Sequence, residues 1–119
     1  MGVTVTKANF TDRAEATRII EQQGLFARDG AIDSGDLEDI HWHKTSLLIY
    51  VLTGTFETKD VASNELLLAG AGDCISIPSR TLHAARCPER ATYVVGFESA
   101  DAARNFKPEL PNDLDSTDA

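Results

Sequence analysis

From residue 37 onward, apolar residues come in short runs separated by clusters of turn-forming residues. The runs fall at 47–52, 65–69, 74–77 and 92–97. The clusters between them are Thr53-Gly54, Lys59-Asp60, Ser63-Asn64, Gly70-Ala71-Gly72, Pro78-Ser79 and Pro88-Glu89-Arg90. Short strands at this spacing, with almost no helix between them, predict an antiparallel sandwich or barrel. The run 47–52 (LLIYVL) is apolar on both faces, with Leu47, Ile49 and Val51 on one side and Leu48, Tyr50 and Leu52 on the other. One face should fill the interior. The other must be covered, by the N-terminal segment or by a second copy of the chain, and a homodimer is the expectation.

The flanks read differently. Residues 3–6 are extended, and a helix is predicted over 12–23. Thr11 or Asp12 can cap it, Glu15 favours the first turn, and Gly24 suits the position after its end. Ala14, Ile19 and Ile20 are its apolar positions, few enough for a surface helix. Residues 25–28 read as extended and 29–35 as a turn-rich patch. Residues 1–99 are therefore expected to form one domain. After Ser99, residues 100–104 fit one helical turn, and 100–119 as a whole reads as an acidic, mobile tail with no functional content.

Composition narrows the function classes. A chain of 119 residues, 42% hydrophobic and 25% charged, is the size of one domain with a real core. No apolar run approaches the roughly 18 residues of a membrane span, and the start lacks the layout of a signal peptide. A net charge of −8 argues against a nucleic-acid partner. Gly2 and Thr6 superficially fit an acylation pattern, but a cytoplasmic protein is the plainer expectation. Cys74 and Cys87 form no CxxC and are expected as free thiols.

The candidate chemistry lies in the histidines, which number three: His41, His43 and His83. On a strand, residues i and i+2 share a face, so His41 and His43 project together while Trp42 turns away. With a third imidazole from another strand they can form one side of a metal coordination shell. Ordinary imidazoles titrate near about 6.5, so metal release is expected below that pH. Asp39 shares the parity of His41 and could add a carboxylate, although it sits in an acidic cluster with Asp36 and Glu38. Cys87 shares the face of His83 by alternation and is either a pocket thiol or a small core residue; Cys74 is expected in the core. Phe56, Tyr93 and Phe97 fit a pocket lining or the core. Arg80 could greet an anionic ligand or lie on the surface. Trp42 is expected to pack under the N-terminal segment or a dimer partner.

Two stretches also resemble the paired motifs of the cupin superfamily. In the first, Gly35, His41, His43 and Gly54 match, and Leu47 stands where the family places glutamate. In the second, Gly72, Pro78 and His83 match, with Arg80 in place of a glycine and Cys87 in place of an asparagine. The likeness covers about residues 37–97. It implies a jelly-roll β-barrel whose mouth holds a divalent metal on His41, His43 and His83. Iron(II) is favoured, with zinc, nickel, copper or manganese as the other candidates. It further implies a small-molecule ligand and a non-haem dioxygenase-type enzyme acting on diketone- or thiol-like compounds, or else a non-catalytic module that binds or senses a metal or small ligand. Without the glutamate the ligand set is neutral, so a bound ion would keep its full charge and favour an anionic partner.

Overall fold

The computed structural model describes residues 2–118, with side chains through residue 114. Nine strands and three helices follow in the order β1 (Thr4–Lys7), α1 (Arg13–Gln22), β2 (Phe26–Ile32), β3 (Leu37–His41), β4 (Leu47–Thr53), β5 (Phe56–Asp60), β6 (Glu65–Ala69), β7 (Asp73–Ile77), β8 (His83–Arg86), β9 (Ala91–Phe97), α2 (Ala100–Arg104) and α3 (Pro111–Asp118) among the described residues. All strand pairings described are antiparallel. They form a five-stranded sheet in the order β1-β7-β4-β9-β2 and a four-stranded sheet in the order β3-β8-β5-β6. No helix is long and apolar enough to cross a membrane.

The closed barrel expected from the sequence is instead two facing sheets. Closure would need hydrogen-bonded ladders between β2 and β3 and between β1 and β6, and neither is among the described pairings. Side chains join the layers: Leu47, Ile49, Ile75, Ile77, Val95 and Phe97 of the larger sheet share one buried cluster with Phe56, Ala69 and Ala85 of the smaller and with Cys87 just after β8. The open edge beside β2 and β3 is where the cavity described below emerges.

The second apolar face of β4 is covered by α1. Asp12, one of the two predicted caps, accepts from the Glu15 backbone N–H at 2.8 Å, and Glu15 returns the contact to the Thr11 N–H at 2.9 Å. That reciprocal box holds the Glu15 carboxyl below its usual range, chiefly through the Thr11 hydroxyl. Ala16 and Ile20, one helical turn apart, are the buried positions and pack with Phe10, Tyr50, Cys74 and Val94. Ala16 takes the place expected of Ala14, which is exposed. With α1 in place, this face no longer argues for a second copy of the chain.

A second correction concerns residues 29–35. Asp29 and Gly30 look like a turn, yet β2 runs through them to Ile32 and pairs with β9 along its whole length. Gly30 is explained by its neighbour: a Cβ there would lie 2.3 Å from Cε1 of Tyr93, so only glycine lets that ring lie flat against the strand. Gly54 closes the β4–β5 turn at φ +81°, and a Cβ would sit 2.3 Å from the Arg90 carbonyl oxygen.

Candidate metal centre

His41 ends β3, His43 follows it by two residues, and His83 begins β8, where it pairs directly with His41. The three rings converge. Their centroids are 4.7 Å (His41–His43), 4.3 Å (His41–His83) and 4.9 Å (His43–His83) apart. One potential ligand atom from each lies within 4.8 Å of the others, and all three residues are buried.

Backbone carbonyls orient two of these rings. Nδ1 of His41 donates to the Asp39 carbonyl at 2.6 Å, and Nδ1 of His83 donates to the Thr81 carbonyl at 2.8 Å. A carbonyl only accepts, so these contacts fix the protonated nitrogen and leave Nε2 of each ring with a free lone pair. His43 is different: its Nδ1 is buried with no hydrogen-bond partner, a costly arrangement that a bound group would relieve. The loop carrying His43 is pinned on both sides. The Arg80 N–H donates to the His43 carbonyl at 2.8 Å, and the Glu98 carboxylate accepts from the Thr45 hydroxyl at 2.6 Å and the Ser46 N–H at 3.2 Å.

Burial keeps two of the rings, His43 and His83, uncharged. Burial, then the neighbouring His83 and His41, lowers the His43 pKa to about 3. Burial likewise lowers His83 to about 4, although its bond to Thr81 opposes the shift. Neutral, buried, converging imidazoles are the donor set that divalent transition metals take. The residues present therefore fit such an ion.

The rings open onto a cavity of about 410 Å³ whose apolar walls include Leu47, Ile49, Phe56, Ile77, Val95 and Phe97. Leu47 thus faces the interior, as the motif alignment requires. Phe56, Tyr93 and Phe97 also line it. Cys87 does not: it is fully buried in the core cluster, and burial, with Glu38, Glu57 and Asp36 adding to it, pushes its thiol up to about 11. Cys74 packs under α1, and both cysteines are free thiols.

The structure decides between the alternatives for Asp39 and Arg80 and corrects the expectation for Trp42. A bulge between Glu38 and His41 breaks the alternation of β3, so Glu38, which pairs with Ala85, shares the inner face with His41. Asp39 lines the cavity with its side chain exposed, and its hydrogen bond to His41 is made by its carbonyl. Glu38 lines the cavity and, after burial, is the next cause of the raised Tyr93 phenol. Arg80 is exposed, as the surface alternative had it, occupies the motif's glycine position with φ +59°, the left-handed region glycine favours, and is not among the residues lining the cavity. The cation that does line it is Arg28, which sequence reasoning missed because it lies outside both motifs. The indole N–H of Trp42 donates to the Leu110 carbonyl at 2.8 Å, and its backbone exchanges hydrogen bonds with Glu109. Trp42 therefore packs under the C-terminal segment, not the N-terminal one. Phe106 from that segment lies 4.6 Å from the His43 ring and 5.2 Å from Phe97 by centroids. Phe106, Pro108, Glu109 and Leu110, in a tail expected to carry no functional content, form part of the cavity wall.

A family model of the cupin domain matches residues 30–97. Among solved structures, the chain is similar to an RmlC-like cupin from Shewanella frigidimarina (23% identity, TM-score 0.53, covering 76% of this chain and 70% of that one). It also resembles a DMSP lyase from Ruegeria pomeroyi (21% identity, TM-score 0.59, 71% of this chain and 42% of that one). A third is a salicylate 1,2-dioxygenase mutant from Pseudoaminobacter salicylatoxidans (12% identity, TM-score 0.57, 72% of this chain and 25% of that one). At these identities the likeness concerns the fold. A search among curated proteins returned no match.

Proposed function

The chain belongs to the cupin family, and from that premise we propose that His41, His43 and His83 hold a divalent transition metal, iron(II) by preference, in an enzyme of the non-haem dioxygenase type acting on a small diketone- or thiol-like molecule. The observation that carries this reading is the convergence of three buried imidazoles on the wall of an apolar cavity. The metal would supply Lewis-acid and one-electron chemistry toward dioxygen and a chelating substrate.

The protein's own residues do the rest. The Asp39 and Thr81 carbonyls hold the His41 and His83 rings in the ligating tautomer. Leu47, Ile49, Ile77 and Val95 exclude water and receive the apolar part of a substrate. No imidazole is left over as a separate acid or base, which favours oxygenation over an isomerisation that needs a dedicated proton carrier. The test is elemental analysis of protein purified without added metal, followed by oxygen uptake with iron(II) against diketones and thiols. Stoichiometric metal with uptake on one compound is expected. Bound metal with no uptake on any of them would favour the second reading, a binding or sensing module, which Leu47 at the family's glutamate position supports.

Leu47 also gives a separate prediction. It faces the cavity from the start of β4, so Leu47→Glu places a carboxylate beside the imidazoles. Metal affinity is expected to rise by about tenfold or more, read by competition with a chromophoric chelator. Unchanged affinity would mean that this side chain does not reach the ion.

A further inference from the structure

One side chain on the cavity wall has no part in holding the imidazoles. Arg28 lies on edge strand β2, on the face it shares with Gly30 and Ile32, and faces the interior at the mouth of the cavity. Its guanidinium carbon is 4.7 Å from the Phe97 ring centroid and 5.7 Å from that of Phe106. Nη1 donates to the Ala103 carbonyl at 2.7 Å. A guanidinium has five N–H donors in a plane, so this contact leaves most of them unused.

The acidic neighbours do not consume them. Asp29 is paired with Arg13 at 2.9 Å, and no ion pair to Arg28 is formed among the described residues. Glu38, Asp39 and Glu109 line the same cavity, yet Arg28 is its one lysine or arginine among the described lining residues. The remaining wall is largely aliphatic and aromatic. A cation stacked on two rings and anchored at one nitrogen is held in orientation before any ligand arrives, with a planar edge that matches a carboxylate.

We infer that Arg28 is a carboxylate-recognising residue and that the ligand of this cavity is a small organic acid, with its carboxylate on the guanidinium and its chelating atoms toward His41, His43 and His83. The inference rests on the metal reading for the second half of that pose only; the Arg28 contact stands by itself. It also makes the ligand's charge, and not merely its apolar bulk, a determinant of selection.

The probes are 3,5-dioxohexanoate and its methyl ester, which share one diketone chelating unit and differ in the charge at the far end. Calorimetry with zinc-loaded protein should show the acid binding at least about tenfold more tightly than the ester, the worth of one charge-assisted pair. Arg28→Gln should remove that preference while leaving ester affinity and metal content unchanged, and Arg28→Lys should restore part of it. A purely structural tether of α2 would not move the acid-to-ester ratio. Equal affinities in the wild type, no binding of either compound, or a preference that survives Arg28→Gln would each overturn the inference. The same titrations on metal-free protein separate the two ideas. If the acid preference persists there and zinc adds nothing to either affinity, Arg28 is upheld and the metal reading falls.

Discussion

Replacing His83 with alanine is expected to take bound metal from about one ion per chain to near zero while leaving the two sheets folded, since three protein ligands are the least that such catalytic sites use. His83 is 2% exposed, its tautomer is fixed by Thr81, and its ring lies closest to His41 of the three pairs. Two imidazoles alone cannot surround an ion that three bring within reach of one another. His41→Ala should behave in the same way, because its orienting bond to Asp39 is the counterpart of that at His83. The fold should survive because neither ring belongs to the shared apolar cluster. Cys87→Ala, a change in that cluster away from the cavity, is the control and should keep its metal at some loss of stability. Elemental analysis and thermal melts on the same samples give both answers. Stoichiometric metal retained in either histidine variant would defeat the ligand assignment.

Acid should act on this protein in two stages. His43 and His83 are held well below the ordinary imidazole value of about 6.5, to about 3 and about 4. The unfolded chain therefore takes up protons at pH values where the folded chain does not. Stability from these groups is fully present above about 6.5 and is lost as pH falls toward their folded values. For metal-free protein the loss between pH 7 and pH 4 should be on the order of 3 kcal/mol from each group, read as a falling urea midpoint at constant m-value. Metal release should follow the folded values and not the ordinary one. His43 and His83 stay neutral in the folded site at pH 5 to 6, so their protonation is expected to release metal nearer pH 4. Release centred near pH 6.5, with the chain still folded, would mean that the rings are far better hydrated than their burial indicates.

The sequence made the β-rich class and the histidine trio legible for a simple reason. Local apolar runs and an i, i+2 spacing both survive into the folded chain, as β4, β7, β9 and the His41–His43 pair demonstrate. What stayed hidden depends on contacts between distant residues. The bulge in β3 inverts parity between Glu38 and His41, and nothing in a strict alternation signals one inserted residue. Strand β2 was masked by turn-like residues because Gly30 answers to Tyr93, a partner far along the chain. Arg28 sits in the part of that strand read as extended, and it stayed hidden because it falls outside both motifs. The role of residues 106–110 could not be read from their polar, proline-containing composition, since it is set by hydrogen bonds to Trp42.

Those bonds change where the functional unit ends. Trimming the chain at residue 99, where the strand pattern stops, would discard Phe106 and both partners of Trp42. The His43 ring would then meet bulk water, its proton affinity would climb back toward that of a free imidazole, and ligand selection would lose one of the two rings that hold Arg28 flat. The smallest piece that keeps the chemistry is longer than the smallest piece that keeps the sheets.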